Sequence, residues 1–160
     1  MAIAFRKYQG LGNDFVLIDN RHSPTPMITP EQAVKWCDRN FGIGADGVIF
    51  LLKHEHNANE YQMRIFNSDG SEPEMCGNGI RCLAKFMQDL GIATTEGKYA
   101  IQTGAGLIVP QMDADGQVTV DMGKPQLLAA EIPTTMATGD RQVINAPLEV
   151  DGKTWHVTTV

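Results

Sequence analysis

Between Gly79 and Gly91 the chain places Ile80, Leu83, Ala84, Met87 and Leu90 at the i, i+3, i+4, i+7 spacing of a helix. Cys82 and Phe86 widen that stripe, so apolar side chains run around much of the circumference. A helix of this kind needs cover on several sides, which predicts strands wrapped around it rather than one sheet backing it. Gly91 supplies the C-terminal stop. A second, shorter helix is predicted after Thr29, with Pro30 at its first position, Gln32 completing a capping box, and Ala33, Val34 and Cys37 on its apolar side.

Everything else reads as short strands and turns. Ile3 to Tyr8 and Phe15 to Asp19 flank the glycine-rich turn Gly10-Leu11-Gly12-Asn13-Asp14. Val48 to Leu52 is a buried strand answered by Tyr61 to Phe66. Tyr99 to Thr103, Leu107 to Met112 and Val118 to Met122 form an antiparallel meander, and a last hairpin pivots on Asp151-Gly152. The expected class is α+β, with mostly antiparallel or mixed strands around a central helix. Lys124 to Ala146 has weak periodicity and Pro125 and Pro133, so it reads as a crossing between domains. The expected division is residues 1–122 and 123–160.

Composition narrows the chemistry. A formal net charge of −6 leaves no basic face, which argues against nucleic acid and anionic membrane as partners and for a small soluble ligand. Three cysteines, an odd number, argue for free thiols in a reducing, cytoplasmic compartment. No apolar stretch is long enough to span a bilayer. His54 and His56 flank Glu55 in a polar loop and read as solvated. Cys76 and Cys82 have five residues between them and no second pair follows, so no metal is expected.

Cys76 carries the chemistry. It sits in "FNSDGSEPEMCGNGIRC", residues 66 to 82, where a loop gives way to the start of the main helix. Unpaired N–H groups of Gly77, Asn78 and Gly79 there favour a thiolate, and the same donors, with no side chains at Gly77 and Gly79 to block approach, would hold a carboxylate. A thiolate beside a bound carboxylate points to proton abstraction at the adjacent carbon. The competing reading is packing, since free cysteine is among the most buried residue types, but packing does not require the surrounding glycines and asparagines. Cys37 and Cys82 fall on apolar helix faces and read as core. Gly42-Ile43-Gly44-Ala45-Asp46-Gly47 matches the G-x-G-x-x-G pattern, yet it follows a helix and enters a strand, the reverse of a dinucleotide site, so it reads as a turn, a candidate lining of the same pocket. Asn13, Asn67 and Asn78 are three short amides able to grip a polar amino acid.

These stretches, with "GLGNDF" at 10–15, "GIGADG" at 42–47 and "MGKP" at 122–125, resemble the diaminopimelate epimerase family in order from Phe5 to about Pro125. The resemblance implies interconversion of LL- and meso-diaminopimelate for lysine and peptidoglycan precursors, without pyridoxal phosphate or metal, by two cysteines on opposite faces of the substrate. It makes Cys76 one of the pair, with Gly77 and Asn78 on the reacting carboxylate and Asn13 and Asn67 on other polar groups. It also implies two similar halves, each with strands around a central helix; a homodimer is the candidate assembly. Two departures stand out: many members have Gln where this chain has Gly47, and the family's second cysteine motif does not occur before Val160. Other cofactor-independent racemases or isomerases of this architecture, or a non-catalytic ligand-binding domain, are the alternatives.

Physics makes the same demand for a second group. Inversion needs a base on one face and an acid on the other. Six residues along a helix shift a side chain by about 9 Å and roughly 240°, so Cys82 cannot oppose Cys76. The expectation is a truncated chain or gene fragment, with Thr154 to Val160 opening the absent half, and little epimerisation by these 160 residues alone.

Overall fold

The computed structural model describes residues 2–54 and 61–160. His56 and Glu55, read above as part of a solvated loop, lie outside the described residues. The chain divides into two units, Met1–Met122 and Gly123–Val160.

The first unit is built on a six-stranded sheet in the order β1 (Arg6–Gly10), β2 (Asn13–Asp19), β3 (Gly47–Lys53), β4 (Tyr61–Asn67), β5 (Ile101–Thr103) and β6 (Gly106–Ile108). The β2·β3 and β4·β5 pairs are parallel and the other three antiparallel. Each parallel pair is joined through a helix, α1 (Pro30–Cys37) after β2 and α2 (Gly77–Asp89) after β4. Both crossovers step in the same direction across the sheet, but β4 runs opposite to β2. One hand of crossover on reversed strands puts the two helices on opposite faces. The core divides accordingly: Phe15, Leu17, Ile49, Leu51, Met63 and Ile65 pack with α2, while Val16, Ile18, Val48, Phe50, Leu52 and Phe66 pack with α1. The alternation follows from strand side chains pointing to opposite faces, and it explains why β3 is apolar at six successive positions, all buried.

Both helices have the predicted signals. Thr29 caps α1 and the reciprocal bond with Gln32 is made. Leu90 ends α2, followed by Gly91 at φ +70°. On its side away from the sheet α2 meets a separate hairpin, β7 (Gln111–Met112) with β8 (Val118–Thr119), whose Met112 and Val118 pack on the same core. Strands therefore do cover this helix on more than one side. The predicted continuous strand from Leu107 to Met112 is instead two, β6 and β7. Pro110 between them has no N–H to give a ladder, and its carbonyl accepts from Tyr99 N–H at 3.1 Å.

The predicted first strand begins at Arg6 rather than Ile3, because Phe5 packs its ring on Trp36 of α1, 6.0 Å between centroids. Its hairpin is also tighter: Gly10 pairs with Asn13, leaving only Leu11 and Gly12 in the turn, both at positive φ. In the second unit β9 (Ala146–Val150) and β10 (Lys153–Val157) pair antiparallel across Asp151 and Gly152, which have φ +52° and +71°. Those values are what a two-residue hairpin turn matched to strand twist requires. Among the described residues no helix is long and apolar enough to cross a membrane.

Candidate active site

Strand register gathers the site at one end of the sheet. Asn13 opens β2, Gly47 opens β3 in register with Phe15, and Gly47 pairs with Asn67, the last residue of β4. The loop leaving Asn67 leads to α2, and Gly10, the partner of Asn13, lies against the carbonyl and Cβ of Asn78. Motifs up to 65 positions apart in sequence, from Asn13 to Asn78, thus meet at one sheet end.

Cys76 is the N-cap of α2, with φ −137° and ψ 114°. Its carbonyl accepts the first intrahelical bond, from Ile80 N–H at 2.8 Å, and its Sγ accepts from Gly79 N–H at 3.3 Å. Sulfur thus occupies the acceptor position that a Ser or Asp oxygen fills in most helices. The N–H groups of Gly77 and Asn78 have no acceptor among the described residues. Two unpaired donors at the positive end of a helix, next to a half-buried thiol, form a place for an anionic group.

The two glycines of this turn do different jobs. A Cβ at Gly77 would meet only Arg81 Nη1 at 3.5 Å and Met122 at 3.7 Å, ordinary contacts, so this position is open to a ligand. At Gly79 it would come within 3.0 Å of Ile49 Cδ1 and 3.2 Å of Cys76 Cβ. The sequence-based view that both glycines clear the way for a ligand is corrected here: Gly79 is small so that the helix start can seat on β3. Arg81 holds the turn from the other side, its Nη1 donating to Gly77 O at 2.8 Å and its Nε to Val118 O at 3.3 Å.

The loop carrying Cys76 is pinned along its length. Arg64 makes a two-bond pair with Glu72 at 2.6 and 2.7 Å, and Ala105 N–H donates to Glu74 O at 3.2 Å. Gly104 approaches that loop so closely that a Cβ would lie 2.8 Å from Glu74 Cα. Asn67 anchors the loop's start, with its N–H on Ser71 O at 2.8 Å and its Nδ2 on Ser71 Oγ at 2.9 Å.

Asn13 donates through Nδ2 to Asp46 Oδ2 at 2.7 Å. Asp46 also accepts from Asp14 N–H at 2.9 Å, and Arg39 bridges Asp46 and Asp14, 2.7 Å to each. Lys7 completes the group at 2.8 Å from Asp14. Sequence reading took the glycines of this segment as a turn lining the pocket and gave Asp46 itself no role; an acid directly before a buried strand was the available signal. Gly47 shows why this chain has no long side chain there: a Cβ would fall 2.9 Å from the Phe66 carbonyl oxygen.

The other two thiols are core. Cys37 and Cys82 are buried and free. Burial, then the neighbouring Cys76, pushes Cys82 up to about 11. Burial, then the charge of Asp46, pushes Cys37 up. Neither is poised as a base. No metal-binding cluster of His, Cys, Asp and Glu occurs among the described residues.

The acid cluster makes stability depend on pH. Hydrogen bonding to Arg39, with smaller help from Lys7, holds Asp14 far below the usual carboxylate range, and the Asp14 N–H and Asn13 amide lower Asp46. A carboxylate depressed in the folded state adds stability that is complete above the unfolded value, about 4, and is lost as pH falls below it. Urea midpoints are expected to drop from about pH 4 downward. Asp14→Asn should flatten that limb; an unchanged acid limb in this variant would assign it to other carboxylates.

The sequence profile described as diaminopimelate epimerase matches residues 5–128. "Diaminopimelate epimerase 1" of Nostoc sp. is 66% identical over 161 aligned residues, covering 100% of this chain and 57% of the relative. "Diaminopimelate epimerase" of Trichodesmium erythraeum is 64% identical over 160 residues, with the same 100% and 57%. The chain therefore spans 57% of the length of these relatives. Among solved structures, a probable proline racemase from Agrobacterium radiobacter aligns with TM-score 0.56 at 17% identity, over 74% of this chain and 41% of that one. Methylitaconate-delta-isomerase aligns with TM-score 0.54 at 13% identity, over 83% and 68%. At these identities the likeness is one of fold.

Proposed function

This chain belongs to the diaminopimelate epimerase family, and on that premise we propose that it carries one face of a site that inverts the alpha carbon of diaminopimelate, between the LL and meso forms. Cys76 Sγ, as thiolate, takes the alpha proton; the C–H pair of electrons stays on carbon and spreads into the carboxylate. A thiol on the opposite face then returns a proton to carbon, so the two sulfurs exchange protonation states and no electrons leave or enter. The free N–H groups of Gly77 and Asn78 hold the carboxylate where charge builds, and Asn13 and Asn67 contact the other polar groups. No cofactor is required. The product serves lysine and peptidoglycan-precursor synthesis in the cytoplasm.

The observation that carries this reading is the cap of α2. A cysteine sulfur takes the third N–H of the first turn while the two donors before it stay free. The fixed donors matter because an amino acid's alpha proton is very weakly acidic, and oriented dipoles do not have to reorganise as charge develops.

Cys37 and Cys82 are both buried, so the opposing thiol belongs to sequence outside residues 1–160. Residues 123–160 are the beginning of the domain that contributes it, and closure of two such domains would exclude water. Turnover of LL-diaminopimelate is the test. Little is expected from the 160-residue chain. Extension after Val160 with the remaining C-terminal part of the Nostoc relative should give inversion, with one solvent deuteron appearing at the alpha carbon per turnover. Robust inversion by the short chain, or none by the extended one, would overturn the reading.

A further inference from the structure

We propose that Asp46 is a positioning residue that fixes which end of the Asn13 amide faces the substrate, so that Asn13 presents its carbonyl oxygen and recognises a hydrogen-bond donor, an ammonium group. The substrate half of this statement rests on the function proposed above.

In the turn Gly42–Gly47 the one acid, Asp46, has a role of its own. Asp46 Oδ2 accepts from Asn13 Nδ2 at 2.7 Å and from Asp14 N–H at 2.9 Å, while Oδ1 faces Arg39 Nη2 at 2.7 Å. The Asp46 backbone is fixed as well: its N–H donates to Asp14 O at 2.8 Å, and its carbonyl accepts from Ser68 N–H at 3.0 Å. One residue thereby ties the start of β2, the start of β3 and the chain just beyond Asn67.

A primary amide has two ends, and an ionised carboxylate discriminates between them. The NH2 end is attracted at 2.7 Å; the oxygen end would be repelled, so the flipped amide loses a charge-assisted bond. Asn13 Oδ1 accepts no hydrogen bond among the described residues. It is the atom left for a ligand. Asn67 repeats the logic through a relay: its Nδ2 donates to Ser71 Oγ at 2.9 Å, and Ser71 Oγ donates to Asp69 at 2.6 Å.

The test separates the lock from general loosening. In nitrogen-15 spectra of the whole 160-residue chain, the side-chain NH2 pair missing in Asn13→Ala identifies Asn13. In the wild type one proton of this pair should lie downfield and exchange slowly. Asp46→Ala should collapse that difference with the rest of the spectrum retained. Arg39→Gln leaves the contact intact and should preserve it. A free-amide pair in the wild type, no change in Asp46→Ala, or equal loss in Arg39→Gln would overturn the proposal; the wild-type spectrum decides even if Asp46→Ala does not fold. In the extended chain Asp46→Ala should raise KM for diaminopimelate roughly tenfold with a much smaller change in kcat, and an unchanged KM would overturn the substrate half. An inactive extended wild type would instead count against the proposed function, while the amide spectrum still judges the lock.

Discussion

Cys76→Ser in the extended chain is expected to lower epimerisation by about a thousandfold or more while leaving the unfolding midpoint unchanged or slightly raised. The two effects come apart because the proposed function gives Cys76 two jobs through one atom. As N-cap, its sulfur accepts the Gly79 N–H at 3.3 Å, a job that a serine hydroxyl does at least as well. As base, it must take and return the alpha proton, for which an aliphatic hydroxyl is a far weaker acid–base group than a thiol. Positioned acid–base groups contribute about 10² to 10⁴ in rate, and here the lost group also returns the proton in the reverse direction. Cys76→Ala should match the serine variant in activity but lose the cap, at a cost of about 1 kcal/mol. Retention by Cys76→Ser of more than about a tenth of the wild-type rate would remove Cys76 from the chemistry, since that is far outside the range for a lost base.

What the sequence revealed of this site, and what it hid, follows from the range of each interaction. Signals confined to one turn were legible: the Thr29 and Gln32 box, the stop at Gly91, the Asp151-Gly152 hairpin and the cysteine at the start of α2 all depend on residues a few positions apart. So was the need to cover α2 on more than one side, because it follows from the width of one apolar stripe. The pairing of Gly47 with Asn67, which brings the motifs together, was not legible. Register arises from long-range hydrogen bonding and side-chain packing, and no single segment encodes it. For the same reason Asn13 was recognisable as a polar residue at a glycine-rich turn, while its acid partner 33 residues away was not. Gly79 was misread because a missing side chain looks the same whether it makes room for a ligand or for Ile49.

Gly42→Ala is expected to be among the most destabilising single-methyl additions in this chain, by about 3 kcal/mol or more, although Gly42 is solvent-exposed and its φ is not positive. Its Cβ would overlap Lys35 O and lie 2.7 Å from Trp36 O and 2.8 Å from Asp38 O, all backbone atoms at the end of α1. No rotamer relieves that, so the segment must move. It cannot move freely, because it caps the helix: Gly42 N–H donates to Asp38 O, Ile43 and Gly44 N–H to Trp36 O, and Ala45 N–H to Cys37 O, at 2.8 to 3.1 Å. These bonds satisfy the carbonyls that a helix end leaves unpaired, and each lost one costs about 1 kcal/mol. Displacement would also carry Asp46 away from Asn13, so binding should suffer with stability. Gly12→Ala is the control. Gly12 has φ +86° with nothing within 4 Å of a Cβ, so only the left-handed backbone penalty applies, about 1 to 2 kcal/mol. Urea unfolding of both variants followed by circular dichroism compares a steric cost with a conformational one. A Gly42→Ala loss no larger than that of Gly12→Ala would mean that this cap yields easily, and that tight closure of α1 does not hold the Asp46 turn in place.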